Sequence, residues 1–344
     1  MNDQSPLLPD RYPQKELFLC DVTDAVLKGD MASMEHPFFS LTTQKDTAVR
    51  RYENGDKWVE VIPSVRGLAT VFDKDILIFA TSQLMAAKKE GREVSQELVM
   101  SARDVLVFSN RHTGGHNYAL LEDALERLRG TQVSTNVLTG GEREWNTFGL
   151  VERATVIRDD KSGRVKELRI KLSDYLFRQI MSNEVLALAP DYFRLRKAIE
   201  RRVYEIGRKH CGAQAEWLIG LGLLQSKCGS RDSLKKFRST MREIEEKDHL
   251  PDYHIIMEPA DKVRFVNRNT MKKVEDATGK INLSSDAFHD ARQVAPGWDV
   301  YFLEQKWRGW MAKRMEEGME TPRNPDAAFF GFCRKWYERN GAPV

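Results

Sequence analysis

The sequence has no paired cysteines, no long apolar run and no compact signature of a metal or nucleotide site. Cys20, Cys211, Cys228 and Cys333 stand far apart with no Cys-x-x-Cys pair. That spacing argues against a zinc finger or a disulfide framework, so free thiols in a reducing compartment are expected. No stretch approaches the roughly 18 uninterrupted apolar residues of a membrane span. The opening MNDQSPLLPDRYPQKE also lacks the basic-then-apolar plan of a secretory signal. A cytoplasmic protein with no membrane contact is expected. ATGKI at 277–281 looks like the end of a phosphate-binding loop, but Val274 stands where glycine is required and Ile281 where Ser or Thr is required. His112 and His116 are separated by the glycines of a turn, which does not suit the metal site of a nicking enzyme, and His36 reads as structural. No paired carboxylates suggest a polymerase. The expectation is a protein without cofactor, metal or catalytic residues.

Charge of both signs is abundant, at 31% of residues, and the net charge is only +3. Its distribution is uneven. Residues 1–30 carry six acids against three bases, residues 227–242 six bases against one acid, and residues 262–273 five bases and no acid. Local clusters of Lys and Arg within a folded region point to a surface for a polyanion. With 344 residues and 41% hydrophobic content, there is room for two compact domains and a small third.

The first 14 residues, with Pro6, Pro9 and Pro13, read as a loose tail, and KELFLCDVTDAVLK at 15–28 as a short amphipathic helix. From 36 to 65 the pattern is that of strands, with Asn54-Gly55-Asp56 as a hairpin turn. A helix is predicted from Lys74 to Lys89, with Asp73 accepting from its first-turn amides. Two more follow, from Ser101 to Phe108 and from Asn117 to Arg129, separated by RHTGGH. Alternating residues at 148–158 and 165–172 then give a β-ribbon. Two helices in tandem followed by a hairpin is the winged-helix order. It recurs in a long helix after Pro190, carrying Tyr192, Leu195, Ile199, Val203 and Ile206 on one side; a helix marked by Trp217, Leu218, Leu221 and Leu224; and a third over 231–248. HIIM and VRFV then form a second hairpin around EPADK. The halves show no residue-level identity, so the duplication is one of element order. Residues 268–286 read as linker. Tyr301, Phe302, Trp307 and Trp310 share one terminal helix, and Phe329, Phe332 and Trp336 another that opens with Asn324-Pro325. The expected fold is α+β: a first winged-helix domain over 15–172, a second over 173–268, a linker over 269–286 and a helical module over 287–344.

Three strings, MEHPFFSL at 34–41, GLATVFDKDILIF at 67–79 and GGHNYALLEDALERLRGT at 114–131, resemble the replication initiator protein A family of bacterial plasmids and secondary chromosomes. The similarity continues through SDYLFRQI at 173–180 and covers roughly residues 15–270. The resemblance implies binding to repeated sites in double-stranded origin DNA, opening of the duplex and recruitment of the host initiator and replicative helicase. It also implies repression of the protein's own gene. A transcription regulator of the same build is the alternative, and an origin-nicking or priming enzyme a third.

Major-groove recognition needs a helix with donors on its outer face and cations beside it. The stripe Leu234, Phe237, Met241 and Ile244 leaves an opposite face centred on Ser239, with Lys235, Lys236 and Arg242 around it and Arg238 at its border. Glu243, Glu245, Glu246 and Asp248 follow, so the N-terminal half of the helix, beginning at Arg231, is the end expected on DNA. Arg264 and Arg268, on the second hairpin, are expected on the phosphate chain. Arg194, Arg196, Lys197, Arg201, Arg202, Arg208 and Lys209 share the long helix that starts the second unit, and each by itself reads as solvated. In the first unit Glu122, Asp123 and Glu126 occupy the outer face, and two readings stay open. The unit contacts DNA through Arg111, Asn117, Arg164 and Lys166, or, as the resemblance implies, it pairs with a second copy as a homodimer.

Overall fold

The structure, a computed structural model, describes residues 6–12, 20–21, 37–54, 57–136, 146–161, 163, 165–181, 185–270 and 281–342. Two compact units result, Met1–Gly212 with Glu216–Phe265 and Ala213–Ala215 with Val266–Val344. No helix of the described residues is long and apolar enough to cross a membrane.

The first unit opens with β1 (Cys20–Asp21) and the hairpin β2 (Arg50–Asn54) and β3 (Lys57–Ile62). Then come α1 (Lys74–Lys89), β4 (Glu97–Ser101), α2 (Ala102–Phe108), α3 (Gly115–Gly130), β5 (Gln132–Thr135), β6 (Asn146–Gly149), β7 (Val151–Arg158) and β8 (Val165–Leu172). After α4 (Asp174–Met181) and β9 (Leu186–Ala187) follow α5 (Ala198–His210), β10 (Glu216–Gly220), α6 (Leu221–Cys228), α7 (Leu234–Lys247), β11 (Tyr253–Glu258) and β12 (Lys262–Asn267).

The repetition goes further than the sequence pattern suggests. Helix α1, strand β4, helices α2 and α3 and the hairpin β7–β8 form one series, with sheet order β4-β8-β7. Helix α5, strand β10, helices α6 and α7 and the hairpin β11–β12 form the other, with sheet order β10-β12-β11. In both, the strand before the two helices pairs with the second arm of the hairpin. The first series carries an insertion, β5 and β6, which pairs with the early hairpin as a four-stranded sheet β2-β3-β5-β6.

Several expectations need correction. Cys20–Asp21 is a short strand paired with Leu186–Ala187 rather than helix, and the rest of the helix expected at 15–28 lies outside the described residues, as do Gly55, Asp56 and His36. The helix expected after Pro190 is broken: Pro190–Arg194 is a 3-10 turn, Leu195 and Lys197 are extended, and α5 restarts with Glu200 accepting from the Lys197 amide at 3.0 Å. The break frees carbonyls. Arg201 takes up two of them, those of Leu195 and Phe193, at 3.2 Å each. Residues 216–220 form a strand, not the start of a helix, because a short apolar run fits either period and pairing with β12 decides it. Asp73 does not cap α1. Its carboxylate accepts from the Thr70 amide at 2.8 Å and from both arms of Arg127.

Glycine is required at one turn. Gly229, ending α6 with φ of 71°, sits where a Cβ would come within 2.1 Å of Pro37. The turn between α6 and α7 is thereby packed on the first of the three strings.

The second unit is helical: α8 (Ser285–Val294), α9 (Val300–Glu316) and α10 (Pro325–Asn340). Its core holds Ala287, Ala291, Leu303, Trp307, Met311, Phe329 and Cys333. Asn324 caps α10 by accepting from Ala327 N at 3.1 Å, as its sequence predicts. Helix α8 begins inside the segment read as linker.

Candidate nucleic-acid interface

Helix α7 starts where Ser233 accepts from the Lys236 amide at 3.3 Å, a cap that leaves its first-turn side chains free to point outward. Phe237, Met241 and Ile244 are buried, whereas Leu234 at the entry is 38% exposed. Lys235, Lys236, Ser239 and Arg242 are all exposed on the other side. Lys236 reaches back to Asp232 at 2.7 Å, a surface pair that competing phosphate can break.

Arg238 is fixed differently. Its guanidinium makes two parallel bonds to Asp261, in the turn of the β11–β12 hairpin, and its charge keeps that carboxyl below the ordinary range. The Asp261 carbonyl in turn accepts from Leu221 N at 2.7 Å, so α6 and α7 are both tied to the hairpin turn. At the far end of α7 the acids are anchors. Glu243 binds Lys197 and Lys247, each at 2.6 Å, and these two ammonium groups lower its pKa to about 2. Glu245 accepts from Met257 N and Asp248 meets His254.

The remaining expected residues do not converge. Arg264 is 13% exposed and lies between Glu216, at 2.7 Å, and Glu258, in mid-strand rather than at a tip. That engagement removes it from the set of available phosphate contacts. Lys262, which sequence reasoning passed over, is exposed beside the turn; its place as the last residue of EPADK was the available signal. Arg268 is half-buried one residue past β12, and Arg231 is exposed, 3.7 Å from Asp46. Arg111 donates to Asp75 at 2.8 Å and to the Phe72 carbonyl, so it braces the fold. Asn117 is half-buried in the first turn of α3, Lys166 pairs with Asp159 at 3.2 Å, and Arg164 lies outside the described residues. On α3, Glu122 binds Arg158 and Glu126 binds Arg66, which spends the nearby cations on that acidic face.

A buried ionic cluster escaped the periodicity analysis. Lys74 meets Glu205 at 2.9 Å, with both side chains at most 2% exposed; Glu205 also accepts from Tyr192 at 2.6 Å and Arg202 at 3.2 Å. Asp75 receives Arg201 and Arg111, each at 2.8 Å. Arg201 further lies 4.7 Å from the Phe72 ring and 5.1 Å from that of Tyr192. Lys74 and Asp75 of the string FDKD thus bind α1 to α5 and hold the two series in one body. Among the described residues no group of three or more His, Cys, Asp or Glu is placed to hold a metal ion.

The family model for replication initiator protein A matches residues 28–255. The chain belongs to the replication initiator protein A family. A protein of Wigglesworthia glossinidia brevipalpis, assigned to replication by its name, is 35% identical over 246 residues, covering 70% of this chain and 89% of the relative. Domains 2 and 3 of RctB share the fold, with a TM-score of 0.53 at 11% identity over 71% of this chain and 98% of theirs. In this replication initiator the matched span closes within β11, and helices α8 to α10 lie beyond it.

Proposed function

We propose that the chain is a plasmid-type initiator that binds repeated sequences in duplex origin DNA through two tandem winged helices, the second of which reads the major groove with α7. The observation that carries this reading is the pairing of a capped, outward-facing Lys235/Lys236/Ser239/Arg242 surface with a hairpin fixed beside it by Arg238 and Asp261. An exposed helix of this kind presents donors to base edges while the neighbouring hairpin tracks phosphates. Lys262 replaces Arg264 as the hairpin's phosphate contact. The first winged helix, with its acidic α3 face, contributes to pairing with a second copy rather than to base readout. The bound protein opens the origin, recruits the host initiator and replicative helicase and represses its own gene, without cutting or joining DNA.

The test is replication of a plasmid whose sole origin is the native one, in a host with or without this gene. Gene-dependent replication, with no covalent protein–DNA adduct in Mg²⁺ or Mn²⁺, supports the proposal. Repression without replication selects a transcription regulator, and an adduct selects a nicking enzyme.

A further inference from the structure

The second unit carries more aromatic surface than its core uses. Trp307 and Phe329 are fully buried. Four further rings, Trp298, Phe302, Phe332 and Trp336, pack against that core from its edge, and Trp310 extends the row into solvent. Trp310 lies 6.2 Å from Phe332, Phe332 5.8 Å from Trp336, and Trp336 5.9 Å from Phe302, which stacks on Trp298 at 5.6 Å. Among the first three, successive rings are tilted by 40° and 34°. Trp310 is 44% exposed and the others half-buried. Leaving Trp310 and the outer faces of the half-buried rings in contact with water opposes folding, so the rim of this core marks a surface with an occupant.

The charge beside the row is positive. Measured around α9 from the buried Leu303, Trp307 and Met311, Lys306 and Lys313 fall on the same side as Phe302 and Trp310. On α10, Lys335 and Arg339 fall next to Phe332 and Trp336 by the same construction. The Lys306 ammonium stands 5.3 Å from the Phe302 ring and the Arg314 guanidinium 5.6 Å from that of Trp310. Flat rings alternating with cations suit nucleobases, each of which has a π face, joined by phosphates. A groove for an amphipathic helix is instead lined by aliphatic and Met side chains, which this row does not supply.

We propose that this face of the second unit binds single-stranded DNA, with Trp310 and Phe332 as the principal stacking platforms and Lys306, Lys313, Lys335 and Arg339 on the phosphates. The proposal deepens the initiator reading by giving the opened strand a place on the same protein.

The experiment titrates the full chain against a labelled sixteen-residue oligothymidylate and, separately, against the duplex repeat. Trp310→Ala is expected to weaken the single strand about 5- to 150-fold while leaving the duplex within about twofold. Lys306→Glu with Lys313→Glu is expected to weaken it as well and to reduce the salt slope by about 1.4. Tyr301→Ser, on another side of α9, controls for folding and keeps both affinities. Unchanged oligothymidylate binding in both the tryptophan and the lysine variants overturns the proposal. So does competition by polyglutamate as effective as that by the oligonucleotide, which marks an acidic protein as the occupant. Failure of the duplex arm alone counts against the initiator reading and leaves the single-strand site standing.

Discussion

Arg238 and Asp261 are joined by two bonds, Nε to Oδ1 at 2.8 Å and Nη2 to Oδ2 at 2.6 Å, so the border of α7 and the turn of the following hairpin move as one piece. The carboxylate also cancels a positive charge at the edge of the proposed DNA surface. Asp261→Asn is therefore expected to tighten binding to scrambled DNA and steepen the salt slope by about one. Arg238→Ala should weaken native and scrambled sites alike. Titrations at several salt concentrations measure both, and an unaltered slope in Asp261→Asn shows that Arg238 serves the fold alone.

The buried cluster makes a stability prediction. Asp75 is almost wholly enclosed and holds two guanidinium groups, so Asp75→Asn leaves buried cations without their counter-charge. The expected loss is about 3–5 kcal/mol, read from the midpoint of urea unfolding. Arg201→Met should cost less than Asp75→Asn, since the Met fills volume and leaves Asp75 its bond to Arg111. Equal losses would show that packing rather than charge governs the site.

Sequence pattern was sufficient for elements whose side chains announce their own period. The α7 stripe, both hairpins and the Asn324 cap are of this kind. It failed where a distant partner decides. Glu216–Gly220 is a strand because β12 lies alongside, and Arg201 turns inward because the backbone break at Leu195 and the carboxylate of Asp75 await it. Asp73, Lys74 and Asp75 read locally as a polar helix start, although all three are buried. The resemblance strings flagged the segment without giving a reason. The structure supplies one, in that Lys74 and Asp75 pair with Glu205 and Arg201 of the other series, while Asp73 holds Arg127 within its own. Within the candidate interface, exposure of the α7 face was legible from spacing, whereas the capture of Arg264 and Arg111 by carboxylates was not.

A pH effect follows from Glu243. Bonds to Lys197 and Lys247 lower its pKa to about 2 in the folded state, below the ordinary glutamate value. The folded state therefore favours the charged form, and this contribution is present above about pH 4.5 and lost as the pH falls through 2. Because the group is partly exposed, solvent screening limits it to about 1 kcal/mol. Between pH 5 and 2, Glu243→Gln should lose less stability than the unaltered protein, as followed by thermal melts. An equal loss would place the acid sensitivity elsewhere.

Thiol chemistry gives a further test. Burial pushes the thiols of Cys228 and Cys333 up to about 12 and, with the nearby Glu216, that of Cys211 up to about 11. At pH 8 about one in a thousand or fewer of any of them is thiolate, the reactive form. In a Cys20→Ser protein, a disulfide reagent such as DTNB should therefore release no rapid colour until denaturant is added. Prompt reaction of even one equivalent would contradict the burial of these three side chains.

The proposed division between reading and holding DNA rests on which α7 and hairpin side chains are available. Lys235 and Ser239 lie exposed on the outer face, so Lys235→Ala should cost about 1–3 kcal/mol on the native repeat and little on random sequence. Lys262, exposed beside the hairpin turn, should behave as a phosphate contact: Lys262→Ala weakens both DNAs alike and lowers the salt slope by about one. Arg264 should not. Its guanidinium is held between Glu216 and Glu258, and Arg264→Ala would leave those two carboxylates facing each other. It should destabilise the fold by about 1–3 kcal/mol while the salt slope of the folded protein stays put. The decisive variant changes Lys235, Lys236, Ser239 and Arg242 together to Ala, none of which contributes to the buried face formed by Phe237, Met241 and Ile244. That protein should fold and lose its preference for the native repeat over scrambled DNA. If it folds and keeps the preference, α7 is not the reader, and base recognition passes to the first series and the residues around Asn117.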